Sequence, residues 1–234
     1  MTLKNFAKPY ALKNRFLSSL LGKKYFGLAE LDKKLLEFID YRNGYFVELG
    51  ANDGITQSNT KHLELFLGWR GILIEPSPKK FTELKKFRSR KNLFFNCACV
   101  AFDFSKPEIE MLYSNLMSVT LEGRSDIPDR LEHAKKGEAH SERENSFRFN
   151  IPARTLEDIF EEAKSPKLID LMSLDVEGAE LEVLSGIDFQ KTNFRNLLIE
   201  TRSINEIRSY LTERNYVEVA RLSHHDYLFR WNQA

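Results

Sequence analysis

The sequence predicts an α/β domain built around a mostly parallel sheet. Two observations carry that expectation. Short apolar runs rich in β-branched and aromatic residues alternate with amphipathic stretches from about residue 29 onward, the rhythm of successive strand–helix units. The first such run, "YFVEL", leads straight into a glycine turn, "GANDG", and parallel sheets bind their ligands in turns of this kind, beyond the carboxyl ends of the strands.

Each element follows from local pattern. "AELDKKLLEFI" places Leu31, Leu35, Leu36 and Ile39 at helical spacing among charges, and Asn43-Gly44 breaks the chain. "YFVEL" reads as a buried strand and "SNTKHLELFLG" as a helix closed by Gly68. "GILIE" is a second strand. "SPKKFTELKKF" opens with Ser77-Pro78, a cap and first-turn pair, and continues as an amphipathic helix. "NLFFNCACVA" is a third strand and "EIEMLYS" an extra one. Residues 118–150 are crowded with charge and carry no strong apolar period, the character of a lid or binding insert. Order returns with "TLEDIFEEA", capped by Thr155, followed by the strand "LIDLMSLD" and the helix "GAELEVLSGI". "NLLIE", "INEIRSYLTERN", "YVEVARL" and "DYLFRW" give a strand, a helix and two strands joined through "SHH". No repeat or low-complexity linker divides the chain. The expected layout is an N-terminal arm over 1–29 and one domain over 30–234, with the insert at about 118–150 as a lid over the substrate.

Bulk properties narrow the function. The chain has 234 residues, 42% hydrophobic and 29% charged, enough for a packed core. Its net charge of +1 argues against nucleic acid as the main partner. No apolar run approaches the roughly 20 residues of a membrane span, and the start lacks the apolar segment of a signal peptide. The two cysteines, Cys97 and Cys99, would point to one face of a strand and are poorly placed to bridge each other. A cytoplasmic location is expected. The arm carries Lys4, Lys8, Lys13, Arg15, Lys23 and Lys24 and no acid. It is read either as an amphipathic arm folded over the domain or as a segment for peripheral contact with an acidic membrane or an anionic substrate.

The turn Glu48-Leu49-Gly50-Ala51-Asn52-Asp53-Gly54 departs from the GxGxxG dinucleotide pattern. Carboxylates flank its glycines, and carboxylates repel a pyrophosphate but attract a cationic ligand. The sulfonium and ammonium of S-adenosylmethionine fit that preference. The alternative is an ordinary strand-to-helix turn with capping acids. Glu75 closes the second strand, where an acid accepts hydrogen bonds from ribose hydroxyls, and Pro76 either packs on an adenosine or simply breaks the strand. Cys97 and Ala98, at the end of the third strand, either border an adenine or belong to the core. "LMSLDVEGAELEVLSG" delivers Asp175 and Glu177 to the ligand side, where paired acids are costly unless something positive or a metal meets them.

The stretches "FVELGANDGITQSNT", "GILIEPSP", "IPARTLEDI" and "SLDVEGAELEVLSG" together resemble FkbM-type methyltransferases, a branch of the class I S-adenosylmethionine-dependent enzymes. The resemblance spans roughly residues 31–231. It implies a Rossmann-like, seven-stranded sheet, mostly parallel with its last strand antiparallel and with helices on both faces. It also implies methyl transfer to a hydroxyl oxygen of a sugar, glycan or secondary metabolite. Carried over, it assigns Glu48, Gly50, Asn52, Asp53 and Gly54 to the cofactor, Ser58 and Asn59 to its methionine end, Glu75 to the ribose and Asp175 to the reacting centre. A weak hydroxyl nucleophile calls for a base or a metal. Candidates are Asp175 and Glu177, with Glu200 beside them as base or as ligands for Mg or Mn, and His224 and His225 in the last turn. His62 is a third source for the base or, more simply, a solvated helix histidine; His133 and His140 are read as solvated. The competing functions are a nicotinamide-dependent oxidoreductase and a non-catalytic binding module.

Overall fold

The computed structural model describes residues 12–140 and 146–232. Residues 1–11 of the arm and 141–145 of the insert, with the expectations attached to them, lie outside that range. The strands, in chain order, are β1 (Tyr45–Leu49), β2 (Arg70–Ile74), β3 (Leu93–Phe95), β4 (Ala98–Cys99), β5 (Glu108–Tyr113), β6 (Val119–Thr120), β7 (Phe147–Arg154), β8 (Leu168–Leu174), β9 (Asn193–Glu200), β10 (Tyr216–Arg221) and β11 (Asp226–Trp231).

Seven strands form the main sheet in the order β10-β11-β9-β8-β1-β2-β3. β1, β2, β3, β8 and β9 run parallel, while β11 is antiparallel to both β9 and β10. The order reverses between β1 and β8. The loops after these two strands leave in opposite directions there and open a crevice. Period-two alternation assigns the two cores: Val47 and Leu49 face one layer with Ile72, Met172 and Phe194, and Phe46 faces the other with Leu63, Leu73 and Leu84.

The helices are α1 (Arg15–Leu20), α2 (Leu31–Leu35), α3 (Lys61–Leu67), α4 (Pro78–Phe87), α5 (Arg130–His140), α6 (Leu156–Ala163), α7 (Glu180–Leu184) and α8 (Ile204–Thr212). Their starts obey the capping chemistry in the sequence. Ser77 accepts from the Lys80 N–H with Pro78 in the first turn of α4, and Thr155 accepts from the Asp158 N–H at α6.

Two elements differ from expectation. The third strand is not continuous: it breaks at Asn96-Cys97, with β3 in the main sheet and β4 pairing with β7 instead. A second sheet, β4-β7-β5-β6, results, and its inner residues Ile109, Met111 and Ile151 form a small core of their own. The charged insert is also more structured than its composition suggests. It holds β6, α5 and the start of β7, because Ile127, Ala134 and Val119 bury against Leu112. From residue 12 onward the arm packs against the domain at points: Leu12, Ser18 and Phe26 are buried, and the buried Asp32 carboxylate accepts the Phe26 N–H at 2.7 Å.

Candidate functional site

A cavity of about 390 Å³ lies beyond the carboxyl ends of β1, β2, β8 and β9. The turn after β1 forms its floor. Gly50 has φ +73°, and a Cβ there would lie 2.0 Å from the Asp175 carbonyl oxygen. Only glycine lets the loops after β1 and β8 approach this closely. Asn52 follows in the left-handed region at φ +47°. It lines the cavity, and its Oδ1 is buried without a hydrogen-bond partner.

Glu75 closes β2 and also lines the cavity. One carboxylate oxygen accepts the Asn52 N–H and the other the Ser77 N–H, both at 2.8 Å. Burial nevertheless pushes its pKa up to about 7, against the pull of those two bonds. The Asn96 amide donates to the carbonyls of Glu75 and Pro76 and so fixes the wall that Pro76, Cys97 and Ala98 complete. Cys97 and Cys99 are free and buried. A hydrogen bond between the two thiols draws the Cys97 pKa down and pushes the Cys99 pKa up.

The opposite wall is acidic. Asp175, Glu177 and Glu200 all line the cavity, and Asp175 hydrogen-bonds to Glu200. Burial, then the charges of Glu200, Glu177, Glu180 and Asp226, raises the Asp175 pKa far above the usual carboxylate range. Burial, then Asp226 and Glu177, lifts Glu200 to about 7. Two such groups in contact hold a proton more firmly than isolated carboxyls do. Glu180, buried at the start of α7, accepts the N–H groups of Val176 and Gly178 and is pushed by burial to about 8. Glu177 sits at φ +52° between two partners: His133 Nε2 at 3.0 Å and Arg202 Nη2 at 3.3 Å.

The roof comes from the insert and its approach. Ser114 to Ser118, Thr120 and Gly137 line the cavity. A Cβ on Gly137 would meet Ser114 Oγ at 2.4 Å and Met117 Cβ at 2.9 Å, so the missing side chain lets α5 lie directly on the 3-10 turn Asn115–Met117.

The structure therefore brings together Gly50, Asn52, Glu75, Pro76, Cys97, Ala98, Asp175, Glu177 and Glu200, and it places the remaining candidates elsewhere. Glu48 points to the other face of β1, where it accepts from Ser58 Oγ, the Asn59 N–H, Thr60 Oγ1 and Arg88 Nη1. Its charge is answered by the buried Arg88 at 2.8 Å, so it cannot serve as the free acid expected to attract a cation. Asp53 caps its own turn, accepting the Ile55 and Thr56 N–H groups, and Gly54 packs on Arg88 and Leu84. Ser58 belongs to the Glu48 network, and Asn59 donates to Ser173 Oγ at 3.1 Å. The acids that do reach the cavity are those after β2 and β8 and at the end of β9.

His224 and His225 lie in the turn from β10 to β11, at the carboxyl edge of the sheet but outside the cavity wall. Arg221 holds the His224 carbonyl and Nδ1. His225 has its pKa lowered by burial first, then by His224 and Arg202. The metal expectation for Asp175 and Glu200 also lacks a ligand set: among the described residues no group of three or more His, Cys, Asp or Glu is arranged to hold an ion.

Two histidines read as solvated are not. His62 is 7% exposed, stacked between Tyr25 and Phe66, with Nδ1 2.9 Å from the Lys24 carbonyl. His133 is buried against Glu177. One signal for His133 was present: His133, Ala134 and Gly137 are uncharged and share one face of this helix, although Leu131 and Ala139 are uncharged elsewhere on it. Arg88 and Arg202 had no comparable signal, since each finds its carboxylate partner far away in sequence.

A seven-stranded sheet of this order, with its ligand cavity at the β1–β8 switch point, defines a class I, Rossmann-like methyltransferase fold. The family model for the methyltransferase FkbM domain matches residues 48–218, well over half of the sequence, and the chain belongs to that family. Solved structures that it resembles include the human methyltransferase 10 domain containing protein (13% identity, 99% of this chain and 98% of that one, TM-score 0.46). The precorrin-6y C5,15-methyltransferase of Geobacter metallireducens is another (11% identity, 87% of each chain, TM-score 0.44). A third is the ribosomal protein L11 methylase of Lactobacillus delbrueckii subsp. bulgaricus (10% identity, 87% of this chain and 78% of that one, TM-score 0.37). No curated protein matches. Membership in a methyltransferase family displaces the nicotinamide-dependent alternative.

Proposed function

We propose that the chain transfers a methyl group from S-adenosylmethionine to a hydroxyl oxygen of a sugar, glycan or related small acceptor, with Asp175 and Glu200 taking the proton. The observation that carries this reading is the hydrogen-bonded carboxyl pair on the wall of the switch-point cavity.

The cavity residues fit the cofactor. The unpartnered Asn52 Oδ1 offers an acceptor to an amine or hydroxyl donor. Glu75 spends one hydrogen bond per oxygen on the backbone, which leaves lone pairs for ribose hydroxyls. The acids after β8 and β9 give the opposite wall a negative field suited to a sulfonium. The cofactor supplies an electrophilic methyl group.

The protein's part is alignment and proton removal. The acceptor oxygen enters below Leu116 and Met117 and hydrogen-bonds to the Asp175–Glu200 pair. A group with a pKa near 7 is ionised often enough at neutral pH to accept a proton and basic enough to pull it. With the cofactor supplying the methyl group, the pair's carboxylate oxygen would take the proton that the acceptor hydroxyl gives up. Glu177, clamped by His133 and Arg202, holds the Val176–Gly178 turn against the roof.

Titration calorimetry with adenosylhomocysteine and with NAD, followed by transfer of labelled methyl groups to sugars, RNA and protein, tests the reading. Adenosylhomocysteine binding with label on a sugar oxygen is the expected result. Label on a base or a peptide nitrogen would overturn the acceptor class.

A further inference from the structure

The chain is nearly neutral overall, yet one face is charged in a single sense. Residues 12–24 contain no acid, and residues 78–91 contain Glu83 alone. Among the cations exposed on these segments are Lys13, Arg15, Lys23, Lys24, Lys85 and Lys86. The fold sets the two segments side by side. Lys13 Nζ donates to the Lys86 carbonyl at 2.9 Å, and the Arg15 guanidinium lies 5.7 Å from the Phe66 ring centroid. Helix α3 stands between them, with His62 against the Lys24 carbonyl and Lys61 donating to the Phe87 carbonyl at 3.0 Å. None of these six cations has a carboxylate partner among the described ion pairs, which fall to Lys33, Lys61, Lys80, Arg88 and residues beyond 100.

Apolar groups stand within the same patch. Leu17 and Leu21 are 43% and 51% exposed, and the Leu21 N–H donates to the Leu17 carbonyl, so they lie one helical turn apart on one side. Two exposed leucines on a segment that also carries Lys13, Arg15, Lys23 and Lys24 suit a lipid headgroup boundary, where apolar side chains enter the acyl region and cations meet lipid phosphates. A single-stranded nucleic acid calls for stacking rings beside the cations, and among the described residues of this patch the exposed apolar side chains are Leu17 and Leu21.

We propose that the face formed by residues 12–24 and the carboxyl end of α4 docks on the surface of an anionic bilayer. Its cations would sit at the phosphates, and Leu17 and Leu21 would enter below them.

Co-sedimentation with vesicles of phosphatidylcholine alone, or mixed with phosphatidylglycerol, tests this with the full chain. Binding is expected to the mixed vesicles only, and it should weaken with salt. The double variant K85A/K86A is expected to lower partitioning about 30-fold, from roughly fivefold per basic residue. L17S/L21S should lower it about tenfold or more. Both variants leave the cavity intact, so unchanged adenosylhomocysteine affinity serves as the folding control. Equal binding to both vesicle types, or to neither, overturns the proposal. So does wild-type vesicle binding by L17S/L21S, or tighter binding to single-stranded RNA than to vesicles, which would assign the patch to a polyanion instead.

Discussion

Glu75 is a carboxyl group that the fold buries at an energetic cost, and that cost can be read as a function of pH. It is 7% exposed, and burial moves its pKa from 4.5 to about 7. The folded chain then holds the proton more tightly than the unfolded chain. Below the unfolded value both states are protonated and nothing is lost. Between the two values the unfolded chain ionises first, so stability falls as pH rises, and above about 7 the loss is complete. The gap between 4.5 and about 7, at about 1.4 kcal/mol per pH unit, amounts to about 3 kcal/mol. Glu75→Gln removes this dependence. It also turns an N–H group toward the backbone N–H of Asn52 or Ser77, a pH-independent loss of about 1–2 kcal/mol. The variant should therefore be the less stable protein at about pH 5 and the more stable one at about pH 8.5. Urea unfolding of both proteins across that range measures the difference, and the other buried carboxyls cancel because both proteins share them. A difference that stays flat with pH would refute the assignment of a protonated, buried Glu75.

Three further outcomes are expected. Asp175→Asn keeps the size and the hydrogen-bonding of the side chain but not its basicity; methyl transfer should fall about 100-fold or more while adenosylhomocysteine affinity, followed by calorimetry, changes little. Arg88→Ala leaves Glu48 buried without its cation and Glu64 with Lys61 alone; burial alone would raise Glu64, but Arg88 and Lys61 together hold it at about 2. A stability loss of about 3–5 kcal/mol is expected on urea unfolding, and a near-neutral result would show that the network is hydrated. Gly137→Val puts a side chain where Ser114 Oγ and Met117 Cβ stand at 2.4 and 2.9 Å; α5 must lift, with about 1–3 kcal/mol of overpacking, and acceptor KM should rise more than the cofactor Kd.

The main sheet was legible because its strands are short apolar runs bounded by Gly, Pro and capping residues, and each signal is local. The break at Asn96-Cys97 was not, since β3 and β4 differ only in which distant strand they pair with. Composition hid the insert's order: four apolar side chains, Leu112, Val119, Ile127 and Ala134, anchor it, too few to impose a period on thirty residues. At the site, type and position located Asn52, Glu75, Asp175 and Glu200 on one cavity, while the acids of the first motif were misread. Strand alternation already turns Glu48 away from the side that Leu49 faces. What no local pattern discloses is Arg88, a cation 40 residues further on that turns an apparent ligand group into part of the framework. The acids that line the cavity are instead Glu75, Asp175, Glu177 and Glu200.

Glu177 ties three stretches of chain at one point: the loop after β8, the insert through His133, and the segment after β9 through Arg202. This makes the insert an unsuitable unit for simple exchange. A chimera that takes 118–150 from a relative lacking histidine at 133 inherits a junction with one strut missing. Libraries aimed at new acceptors would do better to vary the 3-10 turn at 115–117 and keep His133, Glu177 and Arg202 as a fixed hinge pin.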